Sequence, residues 1–425
     1  ICRRMATVDP VHAQEYADFA ARAAGAQAAG ASGPLGNRHF WRSDVMVHRP
    51  GRFHASVRMH SARTFATEVW VNRENLQGYH LADGVCFLMQ RGDEYHDIQP
   101  VWDWRKLPGA TCRETAEPLP YGRDVSLAGS TAFVGGVSDG QVGVAVMDYD
   151  KDGVQARKAW FFLPDGWVAL GAGICCTTGD PVTTSINQCL LKSEVLLLRE
   201  GEVAPLTDPR LFSDNLRGVF HDGVGYYLPT PQHTVAQAAP QSGTWTSIEE
   251  RSPNTAAVTQ DVFSLWIEHG HRTSECAPSE DAASEDAYAY RVVPGLDDED
   301  FAAYPDTSPV SVPANDARLQ AVISSRGTLV QAVFHAAGCL ILDAGVSVET
   351  SAPCALMLRR TKDGITLSVA EPTQRLETLQ VCLSGHYQGC GSVVDPAVGS
   401  TTVTVHLPTA AEAGSTVQVM LQPQK

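Results

Sequence analysis

The sequence has 425 residues, enough for two or three domains with separate cores. Its formal charge of −16 argues against nucleic acid as a partner. No run of about 18 apolar residues is present, so no membrane span is expected.

The first element follows Asp9-Pro10. VHAQEYADFAARAAGAQAA reads as a helix over 10–31, with Asp9 at the N-cap and Pro10 at the first helical position. Val11, Tyr16, Phe19, Ala20 and Ala23 give a rough apolar stripe, and GASGPLG (30–36) ends it as a linker. The chain starts at Ile1, and no apolar stretch follows Arg3-Arg4 to make a signal peptide. The expectation is a fragment or processed product, with any export signal upstream.

From about residue 38 the pattern changes to period two. Phe53, Ala55, Val57 and Met59 alternate with His54, Ser56, Arg58 and His60, as in a half-buried strand. Strand-like runs follow at 142–149, 156–163, 167–174, 193–198, 223–228, 262–270 and 288–293, separated by the turn signals SDG, DKDG, PDG and HDG. Acidic LDDEDFAAYPDTSP (296–309) marks a boundary, and shorter Thr/Val-rich strands come after it. The expected fold is mainly β: a large antiparallel β-sandwich over 37–310 and a smaller C-terminal one over 311–425, preceded by a helical remnant and linker over 1–36, with helix largely confined to residues 10–31.

Charge is segregated along the chain. Arg38, Arg42, Arg49, Arg52, Arg58, Arg63 and Arg73 stand against only Asp44 and Glu68, which allows a basic surface within an acidic protein. Residues 278–306 carry nine acids against Arg291, and 278–286 reads as a solvated loop. The eleven cysteines contain no C-x-x-C pair. Cys86, Cys112, Cys175, Cys176 and Cys189 lie in apolar strand contexts that predict buried thiols. Cys382 and Cys390 flank a Gly-rich turn that permits a bridge across a hairpin. An oxidising compartment is allowed, not required.

Several short motifs have plain readings. DYDKDG (148–153) opens like a calcium loop, but Ala159 stands where a bidentate Glu is needed, so it is a hairpin turn. GVSDG (136–140) is followed by a strand, not the helix a nucleophile elbow requires, so Ser138 is a turn residue. His269 and His271 share a strand face with no third ligand at metal spacing. Trp102 and Trp104 alternate in PVWDWRK: core packing accounts for at least one, and Trp102 is a candidate sugar platform. Asp103 and Glu114 offer carboxylates to a Ca2+, while Arg105 between them argues for an internal ion pair in its place.

The densest chemistry lies in 48–113: HRPGRFHASVRMHSARTFATE, NRENLQGYHLADG and PVWDWRKLPGATCR. Glu68, Asn72-Arg-Glu74-Asn75, Gly78, Leu81-Ala-Asp83-Gly84, Gly92-Asp-Glu94-Tyr95, the Trp pair and Pro108-Gly109-Ala-Thr111 follow in an order that resembles polysaccharide lyase family 8, the lyases of hyaluronan, chondroitin and xanthan. The likeness continues through GGVSDGQVGVAVMDYD, ARKAWFFLPDGWVALGAGI, TTSINQ, HDGVGYYLP and GTWTSI, covering nearly all of the chain after residue 37. It implies β-elimination on a uronic-acid polysaccharide: a base takes the proton from C5 and the oxygen on C4 leaves, with no cofactor required. In the family an Asn neutralises the uronate, His and Tyr act as base and acid, an Arg orients the Tyr, and a Glu from the β-domain holds that Arg. The likeness maps only that Glu here, to Glu68, and places the other four on an N-terminal α-helical toroid that would precede this region. One departure is that Glu68 and Asn72 stand four apart, where some relatives have three. Asn72, Glu74, Asn75, Arg58 and Trp102 are the candidate substrate-binding residues, the substrate an anionic polysaccharide, and the compartment secreted or periplasmic. The rival from another class is a non-catalytic carbohydrate-binding β-sandwich protein.

Overall fold

A computed structural model describes residues 1–23, 34–122, 128–271, 287–307, 309–324, 327–342 and 346–424. The expected helix over 24–31, the linker up to residue 33 and the acidic loop at 278–286 lie outside the described residues.

Five antiparallel sheets form the body. The largest has nine strands, with Tyr288–Pro294 at its centre and Gly166–Cys176, Val154–Leu163 and Gly143–Lys151 following in turn toward one edge. Every residue of Tyr288–Pro294 is buried, because this sheet is covered on both faces and has no solvent side to demand alternation. One face packs under a four-stranded sheet (Gly36–Phe40, Val45–Arg49, His54–Arg58, Val85–Met89) and a five-stranded sheet built on Ala257–His271 and Pro181–Leu190. Phe53, Met59, Trp160, Phe162, Phe263 and Tyr290 fill the layer between them.

The other face carries Phe161, Leu163, Val168 and Leu170, which pack on Val322, Val333, Ala355 and Met357 of a seven-stranded sheet. That sheet packs in turn on a five-stranded one through Leu356, Leu367, Val381 and Val403. The molecule is therefore a four-layer stack. The alternation read at 53–60 holds through Met59, because the four-stranded sheet covers the nine-stranded one with a single face, and fails at His60, which is buried.

Three details go beyond or against the expectations. The fold is mainly β with a short helical N-terminus as expected, and one further helix, Asp298–Thr307, lies outside it. Asp297 accepts the Asp300 amide at 2.8 Å as a cap, Asp298, Glu299 and Asp300 fill the first turn, and fully buried Phe301 anchors it on Phe220 and Tyr227. The acids read as a boundary are in part a helix start. At the N-terminus a helix also spans Cys2–Val8, and Pro10–His12 is a 3-10 turn before the helix Ala13–Ala23. Asp9 gives no backbone cap there; its carboxylate takes His12 at 2.8 Å. Finally, Cys175 is disulfide-bonded, not a free thiol, whereas Cys382 and Cys390 are both free.

Candidate functional site

The strand His54–Arg58 leads into a long loop whose start is fixed from below. Buried Asp44 accepts the hydroxyls of Ser61 at 2.7 Å and Thr64 at 2.6 Å, and Arg63 lies 3.5 Å away. Glu68 follows, exposed, and its carboxylate has no hydrogen bond or ion pair among the described residues. The backbone then turns sharply. Trp70, Asn72, Arg73 and Asn75 all adopt positive φ, at 79°, 55°, 62° and 52°. Asn72 and Asn75 tolerate the left-handed region, but Trp70 and Arg73 there cost on the order of 1–3 kcal/mol each and must be held by their surroundings.

Those surroundings come from distant motifs. Asn75 reaches back with its amide to Thr67 Oγ1 at 3.0 Å and to the Glu68 carbonyl. Arg73 pairs with Glu250 at 2.7 Å, the Leu76 amide donates to the Ile248 carbonyl at 2.9 Å, and Gln77 reaches the Ser247 carbonyl. The GTWTSI segment is thus the loop's outer wall. Gly243, at its start, lets the chain press on the Pro100 carbonyl, which a Cβ would approach to 1.7 Å. Gly78 is fixed in the same way, because a Cβ there would lie 1.8 Å from Asn75 Oδ1.

Below the loop lies a buried charge cluster. Asp83, 0% exposed, takes His80 Nδ1 at 2.7 Å, Lys151 Nζ at 3.0 Å and the Tyr149 hydroxyl at 3.2 Å, with His60 Nδ1 at 3.4 Å. Lys151 also donates to the Tyr79 carbonyl at 2.7 Å and lies over the Tyr79 ring. Lys158 Nζ donates to the carbonyls of Asp83 and Gly109 at 2.9 and 2.7 Å. Burial works against the Asp83 charge, but Lys151 and His80 outweigh it and hold the carboxyl well below its usual range. Burial also opposes a charge on His80, yet Cys112 and Asp83 beside it raise its pKa to about 9. Burial pushes Lys158 down to about 8. The DYDKDG turn, plain in sequence, is the hairpin that delivers Lys151, and its Asp152 accepts the Tyr79 hydroxyl at 3.2 Å.

The candidates thus fall into two groups. Glu68, Asn72, Glu74 and Asn75 share this one loop: the first three are exposed, while Asn75 turns inward as a brace. Arg58 sits on the four-stranded sheet, half-buried, and donates to the Ser43 carbonyl. Trp102 is 9% exposed, lies nearly parallel to Phe87 at 6.0 Å and meets Trp104 edge-on at 5.3 Å. It belongs to the core under the loop and offers no open platform to a sugar. Four of the seven arginines are tied down by the fold. Arg42 bonds the Ala411 carbonyl, Arg63 the Ala132 carbonyl, Arg58 the Ser43 carbonyl and Arg73 pairs with Glu250. Arg38, Arg49 and Arg52 make no ion pair among the described residues.

Other reactive-looking pairs are inert. Cys189 lies 3.8 Å from His221, but burial pushes the thiol well above its usual range and the imidazole down to about 4, so the thiol stays protonated. Ser138 donates to the Asn37 carbonyl, His269 meets Thr184 and His271 meets the Gly179 carbonyl.

The family model for the super-sandwich domain of polysaccharide lyase family 8 matches residues 35–305, and that for the family's C-terminal beta-sandwich domain matches 311–380. The chain belongs to polysaccharide lyase family 8. Chondroitinase-AC of Pedobacter heparinus is 34% identical over 417 residues, covering 97% of this chain and 56% of that protein. Hyaluronate lyase HylB of Enterococcus faecalis is 27% identical over 91% of this chain and 39% of its own length. A chondroitinase AC lyase structure superposes with a TM-score of 0.84 at 33% identity, covering 97% of this chain and 58% of that one. Streptomyces coelicolor A3 chondroitin AC lyase, solved in complex with chondroitin sulphate, gives 0.75 at 26% identity over 95% of this chain and 52% of that one. The chain thus spans about half the length of the family 8 relatives it matches.

Proposed function

We propose that this chain is the β-domain portion of a polysaccharide lyase that cleaves a uronic-acid polysaccharide of the hyaluronan or chondroitin type by β-elimination. The substrate class rests on the relatives, which are named for chondroitin and hyaluronate. The observation that carries the site is Glu68: an exposed carboxylate, without a partner among the described residues, at the head of a loop held in strained geometry from three sides. A carboxylate so placed is ready to take a guanidinium from outside the chain. A bidentate pair of that kind fixes the Arg in position and direction, and the Arg can then orient the acid that protonates the leaving oxygen. Exposed Asn72 and Glu74 stand beside it to meet substrate.

The partner in this reading is an α-helical domain carrying the Asn, His, Tyr and Arg. The helix Cys2–Val8 exposes Met5 and Val8, apolar surface that such a domain would cover. The setting of such an enzyme is secreted or periplasmic, where its polymer is found. The test compares the 425-residue chain with the full-length protein on chondroitin and hyaluronan, following absorbance of the unsaturated uronate product. Turnover is expected only when the helical domain is present. Robust elimination by the 425-residue chain would move the active site into the β-domain. Binding without elimination by the full-length protein would favour a carbohydrate-binding protein.

A further inference from the structure

Asp103 and Glu114 are the two carboxylates that the sequence offers to a divalent cation. Between them stands Lys106, its Nζ 2.7 Å from Glu114 Oε1 and 3.2 Å from Asp103 Oδ2. Arg105 is elsewhere: its guanidinium donates to the Glu117 carbonyl at 2.8 Å. The internal cation expected here is therefore real, but it is the lysine. Glu114 Oε1 also accepts the Thr183 hydroxyl at 2.9 Å. The Trp266 ring forms another wall, its centroid 5.3 Å from Nζ. Gln188 grips the backbone on both sides of the loop, donating to the Asp103 and Lys106 carbonyls and accepting from the Asp103 amide.

The donors suit an ammonium and not a metal. Ca2+ takes about 6–8 oxygens, whereas this corner supplies oxygens from Asp103, Glu114 and Thr183 and an indole face that cannot coordinate. Among the described residues no group of three His, Cys, Asp or Glu is placed to hold a metal. A lysine has three N–H donors for two carboxylates, and its charge is attracted by the face of an indole. Its side chain is 12% exposed, but Asp103 is 47% and Glu114 35% exposed, so water screens the Asp103 pair more than the Glu114 pair.

We infer that Lys106 is a built-in cation, doing in this chain the tethering that a divalent ion would do and freeing the corner from metal. The tether closes the loop between Asp103 and Glu114 and fastens it to Trp266 in the five-stranded sheet. That loop connects the Trp pair beneath the candidate site to the strand Thr111–Arg113.

The test uses the 425-residue chain and reads thermal melting in millimolar Ca2+ and in EDTA, with calorimetric titration of Ca2+. Wild type should melt alike in both and take up no Ca2+ at this corner. Lys106→Met should lower the melting temperature by roughly 1–3 °C, and Lys106→Arg should recover part of the loss. If Lys106→Met does not fold, Glu114→Gln carries the test and should lower melting without gaining sensitivity to Ca2+. Stabilisation of wild type by Ca2+, stoichiometric Ca2+ uptake that Lys106→Arg changes, or melting of Lys106→Met or Glu114→Gln with wild type would overturn the inference.

Discussion

Asp83 and Glu68 are carboxylates fifteen positions apart with opposite surroundings, one sealed among cations and the other open to solvent. Asp83→Asn should cost about 3–5 kcal/mol, because it leaves Lys151 and His80 buried without their counter-charge. Chemical denaturation of the 425-residue chain would read it, and a loss below about 1 kcal/mol would count against the cluster as a stabilising unit. Glu68→Gln should leave stability within about 0.5 kcal/mol, yet lower kcat of the full-length enzyme on the order of 100-fold if it holds a catalytic Arg. Glu74→Gln is the control, and an unchanged kcat in Glu68→Gln at saturating polymer would remove Glu68 from the mechanism. The histidines set a pH dependence. His80 titrates near 6.5 unfolded and at about 9 folded, so its contribution is complete below about 6.5 and is lost as pH rises toward 9. His39, His48 and His221 run the other way: burial holds each at about 4, so the unfolded chain binds protons that the native one refuses, and stability falls as pH drops from about 6.5 to 4. Lys158, pushed to about 8, offsets part of the alkaline loss above that pH. Melting should therefore be highest near pH 6.5, by about a unit either way. A flat profile between pH 6.5 and 8 would contradict the charged state assigned to His80.

At the scale of the element, the loop 67–77 holds its shape through contacts absent from its own sequence. Asn75 is its brace, and Asn tolerates the left-handed backbone through its short polar side chain. Asn75→Ala should cost about 1–3 kcal/mol and loosen the loop; native-state hydrogen exchange at Leu76 and Glu250, whose amides bond across to the opposite wall, would report it. Protection unchanged from wild type would show that Arg73–Glu250 and Leu76–Ile248 suffice. These contacts also explain what could be read in advance. The strands were legible, since apolar residues at period two or in continuous runs between Gly and Asp turns need no partner to be recognised. The loop's motif was legible as a resemblance. Its supports were not: Lys151 looks like a turn residue, Glu250 like surface charge and Lys106 like a neighbour of Arg105 until the fold brings each to its carboxylate. Burial of Trp102 was likewise hidden, because Phe87 and Trp104 decide which ring faces are covered. The helix Asp298–Thr307 carried its signal in Asp297 and the acidic first turn, masked by Pro305 and by an acid density that reads as a solvated boundary.

The whole molecule is organised by one doubly covered sheet. Phe161, Leu163, Val168 and Leu170 point away from the candidate site and into the seven-stranded sheet of the C-terminal half. Polar ties reinforce that face. Gln331 donates to the carbonyls of Gly143 and Phe162 at 3.2 Å, Arg359 Nε donates to Asp139 at 2.9 Å, and Asn315 donates to the Tyr288 carbonyl at 2.9 Å. Two halves joined by a large apolar face lose the independence that separate domains keep across small polar interfaces. The consequence is thermodynamic: exposing the nine-stranded sheet's second face on loss of the C-terminal half would cost about 25 cal/mol per Å² of apolar area. The two halves should therefore unfold in one calorimetric transition, even though each has a core of its own. Val333→Asp tests the coupling, because Val333 is fully buried in the shared face and a lone carboxylate there lacks a partner. It should lower the melting temperature and split the transition, with the C-terminal half melting first. Two resolved transitions in the wild-type chain, or a single unshifted one in Val333→Asp, would show that the shared face does not couple the halves.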